Sequence, residues 1–124
     1  MCHILHIVTK DDWKNQVLGG YYKPSSLVSD GFIHCSTIEQ TVGTANQFYS
    51  NQNNLLLLCI EIDKLESELK FEDPACVGDK RTDMSFPHIY GPLNTTAVAK
   101  VVDFPLNKDG LFTLPLEISQ FATK

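Results

Sequence analysis

The stretch from Leu55 to Ile62 constrains this chain more than any other. Seven of its eight residues are apolar (Leu-Leu-Leu-Leu-Cys-Ile-Glu-Ile), and Asn54 and Asp63 bound it. It is far short of the ~20 apolar residues of a membrane span. It lacks the alternation of a half-exposed strand, so it predicts a central strand covered on both faces. The rest of the chain must therefore supply neighbouring strands and two apolar layers. With 124 residues, 43% of them hydrophobic and 20% charged, it has the means to do so as one domain over residues 1–124. A domain of that size buries roughly two-thirds of the surface its unfolded chain exposes, and needs no disulfide or structural metal to fold.

Other elements follow along the chain. His3 to Val8 reads as a first strand. Thr9 offers an N-cap with Asp12 three residues on, and Trp13, Val17 and Leu18 mark one face of a short helix that Gly19-Gly20 would end. Tyr21 to Asp30 reads as a loop closed by the Asp30-Gly31 turn. Phe32 to Ser36 is a second strand. Thr37 and Gln40 form a capping-box pattern ahead of a helix carrying Ile38, Val42, Ala45, Phe48 and Tyr49 at helical spacing. Leu69 to Glu72 and Ala97 to Phe104 read as further strands, Asp73 to Met84 as a loop, and Asn107 to Gly110 as a turn. Two short helices in the first half, with strands following one another directly in the second, predict an α+β fold rather than a regularly alternating one.

Charge and cysteine usage narrow the function classes. Ten basic against fifteen acidic residues leave a net charge of −5. That repels a phosphate backbone, so nucleic acid is not an expected partner; Lys80-Arg81 is the only adjacent basic pair. No membrane partner is expected either. The start of the chain lacks the basic-then-apolar pattern of an export signal, which makes a cytoplasmic location the expectation. Cys2, Cys35, Cys59 and Cys76 fit neither a zinc-ribbon spacing nor a disulfide framework, so buried reduced thiols are expected. The four histidines form no His-x-x-x-His pair, and no metal is expected. No Walker, Gly-x-Gly-x-x-Gly or Gly-x-Ser-x-Gly pattern occurs. The residue pattern leaves the oligomeric state open.

The chemistry-bearing residues cluster in two strings. His34-Cys35-Ser36 ends a strand directly before a capped helix, where backbone amides can hold a phosphate and a His and a hydroxyl can orient it. The plainer reading is that Ser36 and Thr37 cap the helix and His34 is structural. In Phe86-Pro87-His88-Ile89-Tyr90-Gly91-Pro92, two prolines and a glycine fix the backbone around His88 and Tyr90. Rigid placement of polar groups is what a site requires, although a proline-rich bend that packs aromatics would look the same. Strand alternation puts His34 and Ser36 on one face with Cys35 opposite, so Cys35 and His34 cannot act as a nucleophile pair. His6 shares a face with Ile4 and Val8.

Several strings are familiar together: His3-Ile4-Leu5-His6-Ile7, Gly20-Tyr21, Gly31-Phe32-Ile33-His34-Cys35-Ser36 and Pro87-His88-Ile89-Tyr90-Gly91-Pro92. Over residues 3–104 the chain closely resembles the domain-of-unknown-function 952 family. More distantly, the order of His6, Gly20, Gly31-Phe32, Ala45-Asn46 and the apolar strand is similar to the ADP-ribosyltransferase fold of poly(ADP-ribose) polymerases and RNA 2′-phosphotransferases. That resemblance implies a mixed β-sheet core, a nucleotide-like ligand such as NAD or ADP-ribose, and His6 as the residue that holds the NAD ribose. It also places His34 near the nicotinamide. Where the transferases carry a glutamate on a late strand, this chain offers His88 and Tyr90, which implies histidine chemistry or binding without turnover.

The expectation is a histidine-lined cleft. His34, His88 and Tyr90 are its catalytic candidates, and His6, Ser36 and Thr37 hold an NAD- or ADP-ribose-like ligand. A non-catalytic module using the same cleft is the alternative, and a histidine-pair phosphodiesterase or ribonuclease a lesser one. The site reading requires His6, His34 and His88 to converge, while the phosphodiesterase reading takes its acid and base from His34 and His88.

Overall fold

The computed structural model describes residues 3–72 and 85–122. The expected Asp73–Met84 loop, Cys2, Cys76 and the Lys80-Arg81 pair lie outside them. The apolar run is strand β5 (Leu55–Glu61), the middle of an antiparallel sheet in which it pairs with β1 (His3–Thr9) on one side and β9 (Val98–Asp103) on the other. Alternation sorts its side chains into two buried clusters. Leu55, Leu57 and Cys59 pack with Leu5, Ile7, Phe104 and Phe112, while Leu58 and Ile60 pack with Ile4, Val8, Ile33 and Ile89. The double burial expected from the sequence is thus what the strand has.

Thr9 caps helix α1 (Lys10–Asn15), its hydroxyl accepting from the Asp12 amide at 3.0 Å. The helix stops earlier than expected. Val17 and Leu18 are not its last face but strand β2 (Val17–Leu18), paired with β3 (Tyr21–Tyr22). Gly19 and Gly20, at φ 62° and 84°, form the two-residue link between them. Positive φ at both positions gives a turn whose twist matches the strand pair, and glycine adopts it without strain. β3 also pairs with β8 (Leu93–Asn94). Within the expected loop, Ser26–Ser29 is a single helical turn, α2.

A third antiparallel sheet carries β4 (Ile33–His34), β7 (Phe86–Tyr90) and β6 (Glu68–Glu72), with β7 in the middle. Ser36 joins it to the first sheet: its N–H donates to Leu5 O and its carbonyl accepts from Leu5 N–H, both at 2.8 Å. Helix α3 (Ile38–Phe48) follows, with the anticipated capping box. Its inward face differs in part, because Thr41 is buried and Phe48 is 40% exposed. Thr41 turns in to hydrogen-bond Ser36 and the Thr37 carbonyl.

A last helix, α4 (Leu116–Ala122), was not anticipated. It brings Ile118 into the second cluster, and Asn46 pins the tail by accepting from the Phe112 amide at 2.8 Å. The fold is α+β. It has three small sheets, all pairings antiparallel among the described residues, where one mixed sheet was expected. Three helices rather than two lie in the first half, and a fourth closes the described chain. No helix among the described residues is long and apolar enough to cross a membrane.

Candidate functional site

The β4–β7–β6 sheet has unlike faces. Ile33 and Ile89, which are register partners, point into the core, with Leu69 beside them. The alternate positions present polar and aromatic groups on the other face. There His34 stands opposite His88, and His88 stands opposite Lys70. Tyr90, two residues on, stands opposite Glu68.

Phe32 packs over this face. Its ring stacks on His88 at 4.1 Å and 21°, and tilts against His34 at 4.7 Å and Tyr90 at 5.3 Å. The two imidazoles meet edge-on, with centroids 5.6 Å apart. His88 is buried, whereas the His34 side chain is 44% exposed. His34 Nε2 lies 2.8 Å from Asp30 Oδ2. A carboxylate only accepts, so Nε2 carries the proton and the lone pair of the neutral ring falls on Nδ1. An imidazole held in one tautomer by a carboxylate presents its free Nδ1 lone pair as a proton acceptor. On the far side of the cluster, Lys70 Nζ sits 4.9 Å above the Tyr90 ring, a distance at which a cation is attracted to the ring face.

His6 meets the same place from behind. Its Nδ1 lies 2.6 Å from the His34 backbone oxygen and its Nε2 2.8 Å from the Tyr22 hydroxyl. The carbonyl fixes the donor as Nδ1–H, so Nε2 accepts from Tyr22. Burial lowers the His6 pKa from 6.5 to about 4, outweighing the His34 carbonyl that favours the charged ring. His6 is thus a neutral brace between β1, β3 and β4. Of the three histidines expected to line one cleft, His34 and His88 meet ring to ring, whereas His6 lies beneath them against the His34 backbone and does not line the outer face.

Ser36 and Thr37 are adjacent but inwardly engaged. The Ser36 hydroxyl lies 2.8 Å from Thr41 Oγ1, which itself donates to the Thr37 carbonyl at 2.7 Å. The Thr37 amide donates to Gln40 Oε1 at 2.9 Å, and the Gln40 amide to the Thr37 hydroxyl at 3.3 Å. The amides of Ser36, Thr37 and Gln40 therefore already have partners within the chain.

Cys35 and Cys59 are buried, unbridged thiols. Burial pushes the Cys35 thiol far up and that of Cys59 to about 11, which leaves little thiolate at neutral pH. Among the described residues, no three His, Cys, Asp or Glu side chains gather closely enough to hold a metal ion.

Sequence reasoning passed over three members of the site. From the sequence Asp30 reads as part of a turn, Phe32 as a strand residue in the Gly31-Phe32 string, and Lys70 only as a position in the Leu69–Glu72 strand. The first two were recoverable, since Asp30, Phe32 and His34 recur at a spacing of two.

The family model described as "Protein of unknown function (DUF952)" matches residues 7–101, and the chain belongs to that family. Among solved structures, the crystal structure of protein CC0527 from Caulobacter crescentus is 32% identical. It has a TM-score of 0.77 and covers 94% of this chain and 98% of its own. The solution structure of the same protein is 31% identical over the whole of both chains, with a TM-score of 0.73. No curated protein matches.

Proposed function

We propose that the outer face of the β4–β7–β6 sheet binds a nucleotide-like ligand, NAD or ADP-ribose in the first place, and that His34 serves it as general acid or base. One observation carries the reading: a half-exposed imidazole, held at Nε2 by Asp30 at 2.8 Å, beside three packed rings. Phe32 and Tyr90 supply the flat surface on which a base or nicotinamide ring stacks. An ADP-ribosyltransferase-like core belongs to the same proposal, supported by the order of the His6 strand, the Gly31-Phe32 segment, α3 and the apolar strand. In it His6 acts through His34 rather than on a ribose, because Tyr22 and the His34 carbonyl already engage both of its nitrogens.

The test separates binding from turnover. His34→Ala is expected to retain measurable ADP-ribose binding while losing about 10²-fold or more of NAD turnover, the usual contribution of a positioned acid or base. The second reading, a binding module, draws on β7 presenting His88 and Tyr90 with no carboxylate. It holds if ADP-ribose binds, no product forms, and His34→Ala and Phe32→Ala weaken binding alike.

A further inference from the structure

The α3 start was the expected place for a ligand's phosphates, yet the amides of Ser36, Thr37 and Gln40 are spent within the chain. Side chains on the sheet face offer another place for an anionic group. The ladder supplies them in one row: His34 on β4, His88 on β7 and Lys70 on β6 are successive register partners on the same face. Neighbouring strands lie about 4.8 Å apart, so the row spans roughly 10 Å of backbone, the reach of a diphosphate plus the two flanking side chains. Lys70 is exposed, with its Nζ 4.9 Å from the centroid of the Tyr90 ring. Among the described residues, three carboxylate-bearing positions fall on this face: Asp30, Glu68 and Glu72, the last in register with Phe86. The first is committed to His34, and the second stands one row away, opposite Tyr90.

Resting on the reading above, we infer that Lys70 is the anion subsite of this face and takes the diphosphate of a nucleotide-like ligand, while His34, its Nε2–H held by Asp30, stands across the row as the acid or base. His88 lies between them as the buried middle of the row.

The experiment titrates ADP-ribose and inorganic pyrophosphate into wild type, Lys70→Met and Lys100→Met, following amide shifts by NMR. Methionine keeps the packing over Tyr90 and removes the charge. Lys100, exposed on β9, controls for net charge alone. Expected is at least a tenfold loss of ADP-ribose affinity in Lys70→Met and less than twofold in Lys100→Met. If ADP-ribose binds Lys70→Met as tightly as wild type, or both variants lose equally, the subsite is overturned while the ligand reading stands. If pyrophosphate binds through Lys70 but ADP-ribose binds no tighter, the ligand reading fails and the anion subsite stands. If neither probe shifts any amide, both are overturned.

Discussion

Two three-stranded sheets share one chain here and are used in opposite ways. In β1–β5–β9, the middle strand is carbon on both faces, and Leu57, Leu58, Cys59 and Ile60 are fully buried. In β4–β7–β6, the middle strand turns Ile89 into the core, and on its other face the buried His88 and the partly exposed Tyr90 pack against Phe32. A strand sealed on both sides can contribute only packing. A strand that carries polar rings on one face has its backbone fixed by the other and can spend those rings on chemistry. His6 connects the two: it grows from the sealed sheet, yet its ring donates to the backbone of His34 on the open one.

The comparison breaks first at the sealed sheet. Leu57→Ala is expected to cost about 3–4 kcal/mol, as for a fully buried leucine whose cavity cannot collapse. A charge-removing change on the open face, such as Lys70→Met, should stay within about 0.5 kcal/mol. Urea denaturation of both variants measures the contrast, and similar losses would mean that the open face is structural too.

The connection between the sheets should be visible in pH. In the unfolded chain His6 takes up a proton near 6.5, while burial holds it neutral in the fold down to about 4. Between those values the unfolded state binds more protons. The stability from this group is therefore intact above 6.5 and lost as pH falls toward 4, by on the order of 3 kcal/mol. Comparing wild type with His6→Gln across pH 4 to 7 isolates it, because the variant should lack that slope. It should also be less stable at pH 7, since the Tyr22 hydroxyl and His34 carbonyl lose their partner.

The smallest effect lies at the start of α3. Thr37→Ala removes one half of the capping box and should cost about 1 kcal/mol. Because its hydroxyl serves the Gln40 amide, ligand affinity should be unchanged. A loss of ADP-ribose binding in this variant would return the phosphate to the helix start.

What the sequence revealed follows from which signals are local. The long apolar run, the Thr9 cap and the Thr37–Gln40 box depend on residues a few positions apart, and each is present in the structure. The Gly19-Gly20 hairpin was misread because two-residue strands carry no periodicity and Val17-Leu18 fits a helix face equally well. α4 was missed because its burial depends on Ile118 finding a core built 60 residues earlier around Leu55 to Cys59. Within the site, His34 and His88 were legible as residue types in rigid contexts. Their pairing, and the place of Lys70 beside them, is a matter of register between strands more than a dozen residues apart, which tertiary packing decides.

The central claim is that the open face of the β4–β7–β6 sheet is where this protein meets its ligand. Amide chemical-shift mapping of the wild-type chain with ADP-ribose tests it most directly. Expected are saturating shifts concentrated at Asp30 to His34, Glu68 to Lys70 and His88 to Tyr90. Saturating shifts centred instead on the depression lined by Asp103, Pro105, Asn107 and Glu117, or none up to millimolar ligand, would contradict it.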